Sequence, residues 1–404
     1  MNRINVIKMN CINLLGILLV GLMIACDEVE KSQYATDSVP PGQVSDVDVD
    51  NVPGGAVITY KVPDDDDLLY VKAVYRMSDG TQVEQKSSAY TTRIVVEGLG
   101  RAQKQTVQLI CGDLSGNESA PYLQEIDPLD SPIYEIQESI QMTEDYGGIN
   151  ILWNNPLKAS VVLTLYVLDE YNRFVEIQNV YTASAEGSYS IRGFPVEERT
   201  FAVTVRDRWK NKTDMVSGAY TPWFEEKLDR FKFARWNPPG IPYSQFGDPD
   251  VPIERLWNGI TENETGYSTN TDWIIPRSIT FNLGQSAKLN RIKVWQRTNG
   301  TTLTFAVYNV RKFELWGSPH PNVNEDFDTW TFLGDFTAVK PSGLPLGQVT
   351  EEDRAYALAG EDYMVQENRE LSVQYVRIHV KELWGGGTTP AQFCEIEFYG
   401  EIDK

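Results

Sequence analysis

Hydrophobic and polar positions alternate in short stretches along this chain, most cleanly near its C-terminus. In residues 289–297, Ile292 and Val294 fall on one side, and Lys293, Trp295 and Arg297 on the other. In 375–381, Val376, Ile378 and Val380 alternate with Arg377, His379 and Lys381. In 394–400, Cys394, Ile396 and Phe398 alternate with Glu395, Glu397 and Tyr399. A period of two marks a half-buried strand, whose successive side chains point to opposite faces. Residues 278–284 and 313–318 read the same way, and no helical period of useful length interrupts the series. The pattern predicts a β-sandwich or barrel-like module of about 150 residues.

Upstream, the same texture occurs twice. Residues 54–60 (Gly-Gly-Ala-Val-Ile-Thr-Tyr) recur as 147–153 (Gly-Gly-Ile-Asn-Ile-Leu-Trp), and 107–113, ending in Asp113, recur as 201–207, ending in Asp207. Asn117 and Ser119 recur as Asn211 and Thr213, and Gly98 as Gly193. A constant offset of about 94 residues marks an internal repeat. Short alternating strands in units of this size predict tandem sandwiches of the immunoglobulin or fibronectin type III kind. In this reading the 113–117 and 207–211 segments are turns that Asp and Asn fix by bonding backbone groups. The acidic run 64–67 is a solvated loop between strands.

The N-terminus has Arg3 and Lys8, an apolar run from Ile12 to Ala25, then Cys26 followed by Asp27, Glu28 and Glu30. The run is short for a membrane span and has the form of a secretory signal. Cysteine after a small residue resembles a bacterial lipobox, although Met23 stands where Leu is usual. The resemblance implies cleavage before Cys26 and lipidation of its thiol; the alternative is an ordinary signal peptide. The acids that follow resemble the export tag of surface lipoproteins in the Bacteroidota. Residues 1–25 are thus expected to be a signal peptide and 26–38 a tether. The formal net charge of −21 disfavours nucleic acid as a partner. Cys111 and Cys394 lie on apolar strand faces in separate modules and are expected as buried free thiols.

Taken in order, "SITFNLG", "LNRIKVWQR", "FELWGS", "YVRIHV" and "EIEFYG" resemble the discoidin family, also called the coagulation-factor C-domain family. The resemblance covers roughly residues 250–402. It implies a jelly-roll sandwich whose loops at one end bind a ligand, most often carbohydrate in bacteria. The fold class expected is all-β: fibronectin type III-like domains at 39–128 and 129–228, then a discoidin-like domain at 229–404. Two spacers before such a module resemble surface lipoproteins of polysaccharide-utilisation systems.

Two histidines, His320 and His379, leave little for a Ser-His-Asp or Cys-His mechanism, and no Cys/His cluster has zinc spacing. The expectation is not an enzyme. Aromatic residues say more: all ten tryptophans follow residue 150. Trp384 precedes the glycine-rich 385–387, and Trp273 ends the polar loop 269–273. An aromatic face on a loop suits the apolar face of a sugar ring, and a nearby guanidinium or amide then bonds the hydroxyls. The candidate ligand residues are Trp384, Arg297, Trp273, Asn299, Asn309 and His320. The discoidin resemblance also implies a structural calcium, here at Asn258, Glu262, Thr265 and Glu395, with Asn258 where the family has Asp. Glu264 is a further carboxylate in that loop. The partners expected are an oligo- or polysaccharide, an outer-membrane lipid anchor and a TonB-dependent transporter complex. Two other readings stand beside this one: a protein-binding adhesion module, and a glycoside hydrolase or lyase.

Overall fold

In a computed structural model, residues 37–247, 251–262, 266–298, 303–388 and 390–404 are described. Cys26, Asn299, Glu264 and Thr265 lie outside them. The chain divides into two compact units: residues up to 134 with 207–212, and 135–206 with 213–404. The molecule is all-β, with two short α-helices among the described residues.

The first unit holds β1 (Ser45–Val52), β2 (Gly55–Lys61), β3 (Leu68–Arg76), β4 (Gln82–Ser88), β5 (Arg93–Glu97), β6 (Gln105–Asp113) and β7 (Tyr122–Ile126). They form two sheets, β1-β2-β5 and β4-β3-β6-β7, over a core of Ile58, Val71, Val96, Leu109 and Cys111. After helix α1 (Pro132–Ser139), the second unit opens with β8 (Gln141–Asp145), β9 (Gly148–Asn154), β10 (Val161–Leu168), β11 (Phe174–Thr182), β12 (Glu186–Ile191), β13 (Arg199–Asp207) and β14 (Val216–Tyr220). Their sheets, β12-β9-β8 and β11-β10-β13-β14, repeat the first topology strand for strand.

The repeated residues have physical reasons. A Cβ on Gly55 would lie 2.0 Å from Val96 O, and one on Gly148 1.8 Å from Ile191 O. Only glycine lets the strands approach that closely. Asp113 accepts from the Asn117 backbone N–H at 2.8 Å, and Asp207 from that of Asn211 at 3.0 Å. Ser119 Oγ accepts from Cys111 N–H, and Thr213 Oγ1 from Val205 N–H, each at 3.0 Å.

The last sandwich comprises β15 (Glu226–Lys227), β16 (Ala234–Arg235), β17 (Tyr267–Ser268), β18 (Arg277–Trp295), β19 (Val310–Ser318), β20 (Thr331–Thr337), α2 (Glu351–Ala359), β21 (Glu361–Met364), β22 (Ser372–Leu383), β23 (Gln392–Phe393) and β24 (Glu395–Ile402). The "SITFNLG" and "LNRIKVW" stretches are both parts of β18. Its first half pairs with β22 and its second with β24 and β21. The register breaks between Asn282 and Ala287, around Gly284 at φ 64°. There a Cβ would meet Lys232 O at 2.0 Å. The element can thus serve both layers, closing them over Phe281, Ile292, Phe313, Ile378 and Phe398. Burying each such side chain contributes about 1.5–3 kcal/mol.

Alternation misplaces two charges. Arg377 and Glu395, expected on the outward face, are 1% and 0% exposed. The Arg377 guanidinium donates to the carbonyls of Asn324, Glu325 and Asp326 and lies 4.2 Å over the Trp330 ring. Burial pulls its pKa down to about 10. Long loops cover the outer face of these strands, and alternation cannot register a loop. The helix α2 also goes against the all-strand expectation. Its N-cap Thr350 and Asp353 form a reciprocal capping box, and Thr-Glu-Glu-Asp was a legible start signal. Cys111 and Cys394 are buried thiols outside any disulfide, as expected.

Candidate functional site

At one end of the last sandwich β18 ends, β19 begins, β22 ends and β23 begins. The loops that join them meet on Asn309. Its Oδ1 accepts from Arg297 N–H at 3.0 Å, and its Nδ2 donates to Leu303 O at 2.7 Å and Arg297 O at 3.1 Å. Its backbone carbonyl accepts from Trp384 N–H at 3.0 Å. One buried residue therefore holds the backbone of Arg297 through its amide and that of Trp384 through its carbonyl. Asn309 is 2% exposed, which corrects its expected role as a ligand-contacting group: its amide is spent on the protein.

Arg297 is half-buried, and its Nη1 donates to Gln392 Oε1 at 3.3 Å. Gln392 is fixed in turn by donating to Ser268 Oγ at 3.2 Å. Trp384 is also half-buried, meeting Phe305 edge-on at 5.2 Å, with the Arg311 guanidinium 5.1 Å over its ring. Phe305 beneath it has φ 48°, a left-handed conformation costing about 1–2 kcal/mol for a residue with a Cβ. Around them Gly385, Gly386 and Gly387 are exposed, as are Val307, Tyr308 and Ile274. Tyr308 and Val307 were not among the expected contacts. Their apolar run, Phe-Ala-Val-Tyr at 305–308 beside a strand start, was the available signal.

Trp273 is not part of this surface. It is 3% exposed, within the core that holds Trp257 and Ile275. Its neighbour Ile274 is 60% exposed in its place. Trp273 and Ile275 turn in and Ile274 turns out, an alternation that the polar residues before Trp273 conceal. His320 is exposed but follows Ser318, at the far end of β19 from Asn309. A nine-residue strand spans about 25–30 Å, so His320 is not brought to Trp384. Trp295 and Trp316, on the polar strand faces, are covered by a second layer. Trp295 donates to Leu358 O in α2 at 3.2 Å, and Trp316 packs on Phe327 at 4.5 Å.

Of the expected calcium ligands, Glu395 is fully buried, and both its oxygens accept from Gly259 N–H at 3.0 Å. Burial raises its pKa to about 8. Asn258 turns inward on its own loop, accepting from Ile260 N–H at 2.8 Å, and Glu262 is exposed. The Arg230 guanidinium packs directly against Gly259. Among the described residues, one carboxylate faced by an N–H and a guanidinium offers few of the several oxygens that calcium takes. The carboxylates of Asp37, Asp67 and Asp113, in the first unit, do approach within 4.8 Å of one another. All three are in or next to segments read as loops and turns.

Ser278 Oγ lies 2.9 Å from His379 Nδ1. Glu314, the nearby carboxylate, accepts from Lys381 at 2.9 Å and from Trp316 Nε1 at 3.1 Å. Its oxygens are engaged there, and burial lowers the His379 pKa. The contact is a side-chain packing detail of β18 and β22.

Three family models match the chain, each described as a domain of unknown function, over residues 41–128, 129–231 and 257–400. No curated protein sequence matches. Among solved structures, the chain is similar to the SusE-like protein BT2857, at 26% identity over 67% of this chain and 98% of that one, with a TM-score of 0.41. It is also similar to a two-domain fibronectin type III segment of chicken tenascin, at 12% identity over 44% and 99%, with a TM-score of 0.23. The three fibronectin domains FN1–FN3 of chicken CNTN1 match at 7% identity over 90% and 100%, with a TM-score of 0.22. Among the described residues, no helix is long and apolar enough to cross a membrane.

Proposed function

We propose that this chain is a cell-surface lipoprotein, anchored in the outer membrane through Cys26, that captures an oligo- or polysaccharide for an uptake system. Residues 39–128 and 129–228 are its spacers, and 229–404 its discoidin-like binding module. The observation that carries the reading is the loop end built on Asn309. There a half-buried indole, Trp384, and an exposed Tyr308 stand beside a guanidinium, Arg297, on a rigid sandwich. Aromatic faces for ring carbons and a fixed polar group for hydroxyls are what a sugar site needs. The lipobox-like Cys26 and the acidic residues after it support an exterior location, and a TonB-dependent transporter is the partner that this setting implies. Calcium at Asn258, Glu262, Thr265 and Glu395 is part of the expectation, although the described residues fit it poorly.

A glycan array and affinity electrophoresis on the chain from residue 27 onward test the proposal. Retention by at least one glycan, lost in Trp384→Ala with the melting temperature kept, is the expected result. A folded chain that no glycan retards would sink it. The exposed Ile274, Val307 and Tyr308 also favour a second reading, an apolar protein-binding surface. That reading gains if Trp384→Ala removes capture of a protein partner while no glycan binds.

A further inference from the structure

We infer that the glycan taken at this end carries an anionic group, a carboxylate or a sulfate ester, and that Arg297 is the residue that reads it. The inference rests on the glycan-binding proposal and names the ligand's chemistry.

Buried polar atoms almost always have partners, and a concentration of exceptions asks for a reason. Among the described residues, ten buried side-chain polar atoms have none. Five of them gather here: Arg297 Nε, Thr298 Oγ1, Thr304 Oγ1, Arg311 Nε and Trp384 Nε1. The three nitrogens can only donate. The end is therefore richer in donors than in acceptors of its own.

Charge narrows what complements this end. Arg311 is answered by Glu382 at 2.7 Å. In the same unit Arg192 meets Asp145 at 2.9 Å and Arg291 meets Glu225 at 2.7 Å. Arg297 has no carboxylate partner among the described residues. Its contact is the neutral amide of Gln392, at a long 3.3 Å. Arg377, which likewise has no carboxylate partner, is satisfied by three backbone carbonyls, whereas Arg297 has this one long contact. A half-buried guanidinium with a single long contact is costly to keep. Hydroxyls do not return that cost in full, whereas a carboxylate or sulfate does. The planar guanidinium offers two parallel N–H groups to such an oxyanion. Trp384 and Tyr308 beside it supply area for the sugar ring. The net charge of −21 repels polyanions in general, so retention of one reports a local site.

The test is affinity electrophoresis of the chain from residue 27 onward in four gels. They contain polygalacturonate, its methyl ester, a sulfated galactan and unsulfated galactan. Each acidic polymer is thus matched with the same backbone without its charge. Retention stronger by about tenfold or more in an acidic gel than in its neutral match is expected, from one charge-assisted contact. Whichever acidic gel retards identifies carboxylate or sulfate. Arg297→Gln should abolish the difference, and Arg297→Lys should keep part of it. Equal retention in acidic and neutral gels overturns the inference and leaves glycan capture standing. So does an acidic preference that survives Arg297→Gln. Retention in neutral gels alone overturns it too, and no retention in any gel or on the array removes both readings. If Arg297→Gln does not fold, the matched gels decide on the unmodified chain.

Discussion

Single residues at the loop end separate into those that hold the fold and those that remain available. Trp273 and Trp384 look alike in sequence, each in a polar or glycine-rich loop, and differ in burial. Trp273→Ala empties a core site at a cost of about 3–5 kcal/mol. In a domain of this size that lowers the melting temperature by roughly 10 °C. Trp384→Ala should lower it by far less while removing glycan retention. Equal losses of stability would contradict the assignment. Glu395 makes a pH prediction. Its folded pKa of about 8 lies above the ordinary carboxylate value because burial disfavours the charge. The folded state therefore holds a proton that the unfolded state has released between about pH 4.5 and 8. The stability tied to Glu395 is present at low pH and is lost as pH rises through that window. Glu395→Gln, neutral throughout, should gain stability relative to the native chain between pH 5 and 8.5. A constant difference across that range would count against the buried acid. If calcium binds there, 1 mM Ca²⁺ should raise the native melting temperature at pH 8 and leave Glu395→Gln unmoved.

At the scale of elements, strands were legible and their covering was not. Period-two alternation located β18, β19, β22 and β24, and the repeat located matching strands of the first two sandwiches. Alternation reports one face only. It therefore placed Arg377 and Glu395 in solvent, where loop carbonyls from 324–326 and the Gly259 turn in fact close over them. Helix α2 was missed for a related reason. It is short, and its tie to the protein is its cap and the contact of Leu358 O with Trp295, more than an apolar stripe. The break at Gly284 could be read as a turn, but that it makes one element pair in two layers depends on which strands lie beside it.

Over the second unit as a whole, a chain of charges, buried at Arg291 and Glu225 and exposed at Asp362, joins its two sandwiches. Arg291, 3% exposed, holds Glu225 from the linker at 2.7 Å and also pairs with Asp362. Arg192 of β12's following loop bonds Asp145 and reaches Asp362 at 3.7 Å. Removing one member of a buried pair costs about 3–5 kcal/mol because the other is stranded. In calorimetry the native chain should melt residues 135–404 in one transition, and Glu225→Ala should split it in two. An unchanged profile would show that the sandwiches are not coupled through these charges.

The sequence by itself determined the strands, the repeat, the buried thiols and the residue types able to meet a sugar, because each is a local pattern of polarity or spacing. Tertiary structure decided which aromatic faces stay open, which charges are answered and which loops share an end. Those depend on what packs over a residue from distant parts of the chain. Asn309 shows the difference: in sequence it is a polar loop residue free to meet a ligand, and in the fold its amide holds the backbone of Arg297 and its carbonyl that of Trp384.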